Sequence, residues 1–119
     1  MSPAKPRCAK VILFRAKPGR SADYEAYLRA TVELIDHGAV AAGAMLDTHT
    51  LINRDDASQP WTHMRIFFFE SEAQREAIKP VFARIAAELE PDEAKRKARK
   101  HHCETMRTLV AELDVGMLG

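Results

Sequence analysis

The chain has 119 residues, 46% of them apolar and 29% charged, with a formal net charge of +1. That length holds one packed domain and not two, and the near-neutral charge excludes a surface that broadly attracts nucleic acid or acidic membranes. No apolar run approaches the ~18 residues of a membrane span, residues 1–7 lack the apolar stretch of a signal peptide, and Cys8 and Cys103 read as free thiols of a reducing, cytoplasmic setting.

Residues 1–8 contain two prolines and little apolar content, which predicts a loose tail before a single domain over 9–119. Ala9 to Ala16 is a short apolar run of strand formers, the first strand. Lys17-Pro18-Gly19-Arg20 is a turn. Ser21 is placed to cap a helix, with Asp23 and Glu25 near its positive pole. Tyr24, Tyr27, Leu28, Val32 and Ile35 recur at helical spacing, and Gly38 is the expected stop.

A hairpin follows from Ala44 to Glu70, with a turn over 53–60. Alternation divides its side chains into two sets. One holds Leu46, Thr48, Thr50 and Ile52 with Thr62, Met64, Ile66 and Phe68. The other holds Met45, Asp47, His49 and Leu51 with Trp61, His63, Arg65, Phe67 and Phe69. The first set is apolar or β-branched, so helices are expected on it.

Ser71 and Gln74 have capping-box spacing and open another helix with a stripe of Ile78, Val81, Phe82 and Ile85. Pro80 predicts a kink, or two short helices meeting there. Asp92 is placed to cap a last helix running to about Leu113, beyond which 115–118 read as either a short strand or a tail.

The order strand, helix, strand, strand, helix, helix predicts an α+β fold. A right-handed crossover sets the second strand parallel to the first, and the hairpin adds an antiparallel neighbour. The outcome is a ferredoxin-like sheet with helices on one face and an extra C-terminal helix. The other face, expected to carry Trp61, Phe67 and Phe69, is too apolar to stand in water. A second copy of the chain is the simplest cover.

The segments Lys10 to Gly19 and Thr62 to Ser71 resemble the first and third strands of the dimeric α/β-barrel superfamily. That superfamily includes stress-responsive barrel proteins and antibiotic-biosynthesis monooxygenases. The resemblance implies a homodimer, pairing as an α/β barrel, with a site inside the barrel or between sheet and helices. It also shows departures. Lys79-Pro80-Val81 stands where stress-responsive members carry a histidine-containing helical segment. No histidine lies between His63 and His101, and Trp61 begins its strand rather than ending it. Haem degradation is therefore disfavoured.

Chemistry concentrates on the hairpin. If His49 lies across from His63, then Asp47 comes near Arg65. A histidine oriented by a carboxylate is a competent general base near neutral pH. The catalytic candidates are thus His49, His63 and Asp47. Arg65 is placed to hold negative charge, with Trp61, Tyr24 and Phe67 completing a substrate pocket. The plain reading of the same residues is a cross-strand ion pair beside two solvated histidines.

No tightly held organic cofactor is expected. Asp47, His49 and His63 could hold a divalent metal, though without diagnostic spacing. His101-His102-Cys103 diverge around a helix and cannot enclose one ion; a partly buried histidine and a structural thiol are favoured over a haem-ligating His102. The basic run from Lys95 to Lys100 reads as a solvated helix face. The functional expectation is an enzyme of isomerase, lyase or cofactor-independent monooxygenase type. The alternative is a non-catalytic, stress-associated or ligand-binding dimer.

Overall fold

The computed structural model describes residues 4–54 and 57–118. Residues 1–3 of the expected tail and 55–56 of the expected hairpin turn lie outside the described residues. The elements run β1 (Cys8–Ala16), α1 (Ser21–Tyr27), a π-helical turn (Leu28–Val32), α2 (Glu33–Ala41), β2 (Asp47–Ile52), β3 (His63–Phe69), α3 (Glu72–Glu76), α4 (Ile78–Leu89), α5 (Glu93–Met106) and β4 (Arg107–Gly116). The strands form one sheet in the order β2-β3-β1-β4, with every neighbouring pair antiparallel. Strands β1 and β2 are therefore parallel with β3 between them. This is the ferredoxin-like α+β arrangement, with the helices on one face.

The helical layer is built from local signals. Ser71 accepts from the Gln74 amide at 3.1 Å, and the Gln74 side chain accepts from Glu70 N at 2.7 Å. Asp92 caps α5 by accepting from Ala94 N and Lys95 N. Pro80 sits in the first turn of α4, where a missing N–H costs little, and α3 and α4 meet at Ala77. Ser21 does not cap α1: Arg20 holds the cap position and no side chain bonds there.

Gly38 is not a stop. The helix runs on to Ala41, and a Cβ at Gly38 would lie 2.9 Å from Ile85 Cγ2. Glycine there lets α2 approach α4 closely. The chain turns away at Gly43, whose φ of +75° suits glycine.

The last helix ends at Met106 rather than near Leu113, and β4 follows at once. Residues 107–116 carry apolar side chains that fit either period. The open edge of β1 decides between them, because β4 supplies its backbone partners from Ala16 down to Cys8. The end of the expected tail is also paired: Arg7 N donates to Phe69 O and Met117 N to Arg7 O.

The hairpin register corrects the expected faces. Each β2–β3 pair joins residues of opposite parity: Asp47 to Phe68, His49 to Ile66 and Leu51 to Met64 on one face, Thr48 to Phe67, Thr50 to Arg65 and Ile52 to His63 on the other. Thr48, Thr50 and Ile52 thus share a face with Phe67, Arg65 and His63. That second face is the one the helices cover. His63, Arg65, Phe67 and Phe69 are all buried. The uncovered face carries Val11, Leu13, Met64, Ile66, Phe68 and Leu113 instead of Trp61, Phe67 and Phe69.

Two clusters fill the space between the layers. One gathers Phe67, Phe69, Met45, Ile78 and Ile85 under α2 and α4. The other gathers Phe14, Tyr24, Leu28, Cys103 and Met106 under α1 and α5.

Candidate functional site

Polar groups are buried where these two clusters meet. His63 is fully buried, and both ring nitrogens are engaged. Nε2 lies 3.0 Å from Glu25 Oε2 and Nδ1 2.7 Å from Thr62 Oγ1. Thr62 Oγ1 already accepts from Ala16 N at 2.8 Å, so its hydrogen is free for the imidazole. The arrangement assigns neutral His63 a proton on Nε2, donated to Glu25, and a lone pair on Nδ1. The Tyr24 ring stands edge-on to the imidazole, with centroids 4.9 Å apart.

Glu25 is also held by a cation. Arg54 Nη2 donates to Glu25 Oε1 at 2.5 Å. That bond is the main reason the Glu25 carboxyl sits below its ordinary range, with burial opposing it and His63 assisting. Glu25 is therefore anionic at neutral pH. Arg54 is itself half-exposed, at the solvent end of the series Arg54, Glu25, His63.

One step along β3, Arg65 pairs with Asp36 of α2, and both side chains are buried. Burial pushes the Asp36 carboxyl up, while Arg65 pulls it down. The Arg65 guanidinium also lies 4.8 Å from the Phe67 ring centroid. On the other flank, Arg107 donates to the Tyr24 hydroxyl at 2.9 Å and stacks on Phe14 at 3.8 Å. Burial raises the Tyr24 phenol despite that cation.

The expected convergence of His49 with His63, and of Asp47 with Arg65, does not occur. His49 and Asp47 lie on the open face and pair with each other at 3.1 Å, both side chains more than half exposed. A metal set of Asp47, His49 and His63 is excluded by the same register. Trp61 precedes β3, half-buried, its carbonyl accepting from Asn53 Nδ2 at 3.0 Å. Tyr24 packs on His63, and Arg65 and Phe67 follow it along the same face of β3.

His102 is exposed rather than partly buried, whereas Cys103 is buried and its thiol is raised by that burial. His102 lines a groove of about 450 Å³ with Arg20, Asp23, Tyr27 and Thr31, beside the π-helical turn. Among the described residues no three His, Cys, Asp or Glu side chains group as a metal site. None of the described helices is long and apolar enough to cross a membrane.

Sequence reasoning missed Glu25, Asp36 and Arg54 as site residues. Glu25 read as a helix-pole carboxylate. A usable signal was that Glu25 and Asp36 flank the apolar stripe of Tyr24, Leu28 and Ile35, and so turn toward the sheet.

No sequence-family profile matches the chain, nor does any curated protein sequence. Solved structures do. A dimeric ferredoxin-like protein from an uncultured marine organism superposes with a TM-score of 0.66 at 6% identity, over 99% of this chain and 93% of that one. SnoaB, a cofactor-independent oxygenase from Streptomyces nogalater, superposes with a TM-score of 0.57 at 11% identity, over 97% and 96%. A candidate antibiotic biosynthesis monooxygenase from Chloroflexus aurantiacus gives 0.50 at 15% identity, over 94% of each chain. At these identities the likeness carries the fold. The chain is a ferredoxin-like α+β protein. Its structural neighbours include a dimeric ferredoxin-like protein and a cofactor-independent oxygenase.

Proposed function

We propose that the chain works as a homodimer closed over the open face of its sheet. We propose further that it catalyses cofactor-independent proton transfer on a small aromatic or carbonyl-bearing metabolite, with His63 as general base. The observation that carries this reading is the series Arg54, Glu25, His63, which runs from solvent to a fully buried imidazole. A carboxylate kept anionic by an arginine fixes the imidazole's tautomer and would stabilise the imidazolium. An apolar open face and dimeric structural neighbours support the homodimer.

The chemistry follows from the bonds. Thr62 Oγ1 has a second acceptor, Phe14 O, at 3.5 Å. Rotation of the hydroxyl toward it frees the lone pair on Nδ1. A substrate C–H or O–H proton passes to Nδ1, its bonding electrons stay on the substrate as an enolate or phenolate, and Glu25 balances the new imidazolium. Arg65 and Arg107 flank the anion formed. Such an anion is the common intermediate of isomerase, lyase and cofactor-independent oxygenase reactions. His49 and Asp47 take no part.

A second reading draws on the complete burial of His63: a non-catalytic dimer in which the imidazole only ties β3 to α1. Proton exchange separates the two. The protein is incubated in D₂O with small aryl ketones, β-diketones and quinols, and loss of C–H signal is followed by NMR. The enzyme reading expects accelerated exchange of at least one compound, falling by about 10²–10⁴-fold in a folded His63→Gln variant. No acceleration by the wild type favours the non-catalytic dimer, whereas full activity of His63→Gln overturns His63 as the base.

A further inference from the structure

Buried polar atoms in folded proteins almost always have partners. Here Thr48 Oγ1, Arg65 Nε and Arg75 Nε are buried without a hydrogen-bond partner among the described residues. Arg75 is accounted for: its Nη1 donates to Val115 O at 3.1 Å, and its Nε faces Asp114 at 3.7 Å. The other two belong together. Thr50 stands opposite Arg65 and Thr48 opposite Phe67, so Thr48 and Arg65 are diagonal neighbours on the helix-covered face of β2 and β3. Diagonal positions lie about 7–8 Å apart at the backbone, a gap that a long arginine side chain and one bridging oxygen can span.

We infer that Thr48 and Arg65 form a carbonyl-binding subsite for the substrate of the proposed reaction. In it Arg65 Nε–H and Thr48 Oγ–H donate to one neutral carbonyl oxygen. The inference rests on His63 being the base, because it places the oxygen beside the proton that His63 removes. Three features select a carbonyl. Both atoms can donate, and an sp² oxygen has two in-plane lone pairs to accept them. The Arg65 charge is already matched by Asp36, so a formal carboxylate would leave a buried negative charge uncompensated. The surroundings are apolar: the Phe67 and Phe82 rings lie 5.5 Å apart, and Val40 packs on the same cluster. The substrate class is thus a ketone or aldehyde on an aromatic or aliphatic body. His63 shares the face of β3 with Arg65 one pleat away, a spacing that suits a proton on carbon near the carbonyl. Charge developing on the oxygen as that proton leaves would strengthen both donated bonds.

The test uses 4-hydroxyacetophenone and 4-ethylphenol, which differ chiefly in the carbonyl, titrated into the whole protein. The subsite predicts that the ketone binds about tenfold tighter or more, the consequence of pairing two otherwise unmatched donors. It also predicts that the ketone's carbonyl stretch moves to lower frequency on binding. Thr48→Val and Arg65→Lys each reduce the preference toward unity, and Thr48→Ser keeps it. Arg65→Lys retains a cation for Asp36, so the fold has its ion pair.

Stability gives a second readout. Thr48→Val removes an unpaired buried hydroxyl and should raise the ligand-free Tm by about 3–6 °C. Equal affinity for the two probes, no saturable ketone binding, an unshifted carbonyl band or a lowered Tm in Thr48→Val overturns the subsite. The proton-exchange assay keeps the two ideas apart. Lost preference with exchange intact overturns the subsite alone, whereas preference without exchange overturns the base.

Discussion

The two faces of the sheet each carry a histidine beside a carboxylate at nearly the same distance. On the helix-covered face His63 meets Glu25 at 3.0 Å with side chains 1% and 8% exposed; on the open face His49 meets Asp47 at 3.1 Å with side chains 57% and 62% exposed. Composition and distance are matched, so the difference is the medium. In water the open pair is screened and contributes little. Between sheet and helices the same pair fixes a tautomer, and it requires Arg54 to hold the carboxylate's charge. Proximity of histidine and carboxylate does not make a base; burial with a third charged group can.

The comparison is broken most severely at Arg65. Arg65→Met leaves the Asp36 carboxylate buried without its cation and should cost about 3–5 kcal/mol in urea unfolding, whereas Arg15→Met on the open face should cost under about 0.5 kcal/mol. Equal losses would mean that the faces do not differ as described.

On the open face the large effect is on association. Ile66→Lys places a charge at the middle of the apolar sheet surface. It should weaken the proposed dimer by about 2–4 kcal/mol in sedimentation equilibrium, with the helical circular dichroism unchanged. An unshifted dimer would place the interface elsewhere.

Glu25→Gln sharpens the contrast through pH. The Glu25 carboxyl is depressed in the folded chain, so its stabilisation is present above the unfolded carboxylate value near ~4.3 and is lost as pH falls through the lower folded value. Glu112 and Asp114, held low by Lys10, act in the same direction. Asp36, pushed up by burial, acts in the opposite one, its stabilisation being complete below the unfolded value and lost on rising through the folded one. Glu25→Gln should therefore cost about 1–3 kcal/mol at pH 7 and progressively less below pH ~4. A cost that does not change with pH would contradict an anionic Glu25. The smallest effect is at His49: His49→Ala should change stability by no more than about 0.5 kcal/mol.

Much of the fold was legible because its signals are local. The strand run of β1, the Ser71–Gln74 and Asp92 caps and the alternation of β3 each depend on a few neighbouring residues. The end of α5 was not, since Met106, Leu109, Val110 and Leu113 fit a helical stripe as well as a strand. The free edge of β1, distant in sequence, decides the matter. The site was half legible. Alternation in β3 groups His63, Arg65 and Phe67, and Tyr24 lies on an apolar stripe. The error lay in the hairpin register, where a shift of three residues puts Ile52 rather than His49 beside His63 and, being odd, moves His49 to the other face. The face that buries polar residues also looked wrong for a core, because Glu25 and Asp36, which neutralise them, come from another element.

The most direct measurement is the rate of proton exchange, in D₂O, of whichever carbonyl compound the wild type activates, taken side by side for His63→Gln and His49→Gln. With His63 as the base, the first loses about 10²–10⁴-fold and the second stays within about twofold of wild type. Equal rates in all three proteins, or a loss confined to His49→Gln, would contradict that role.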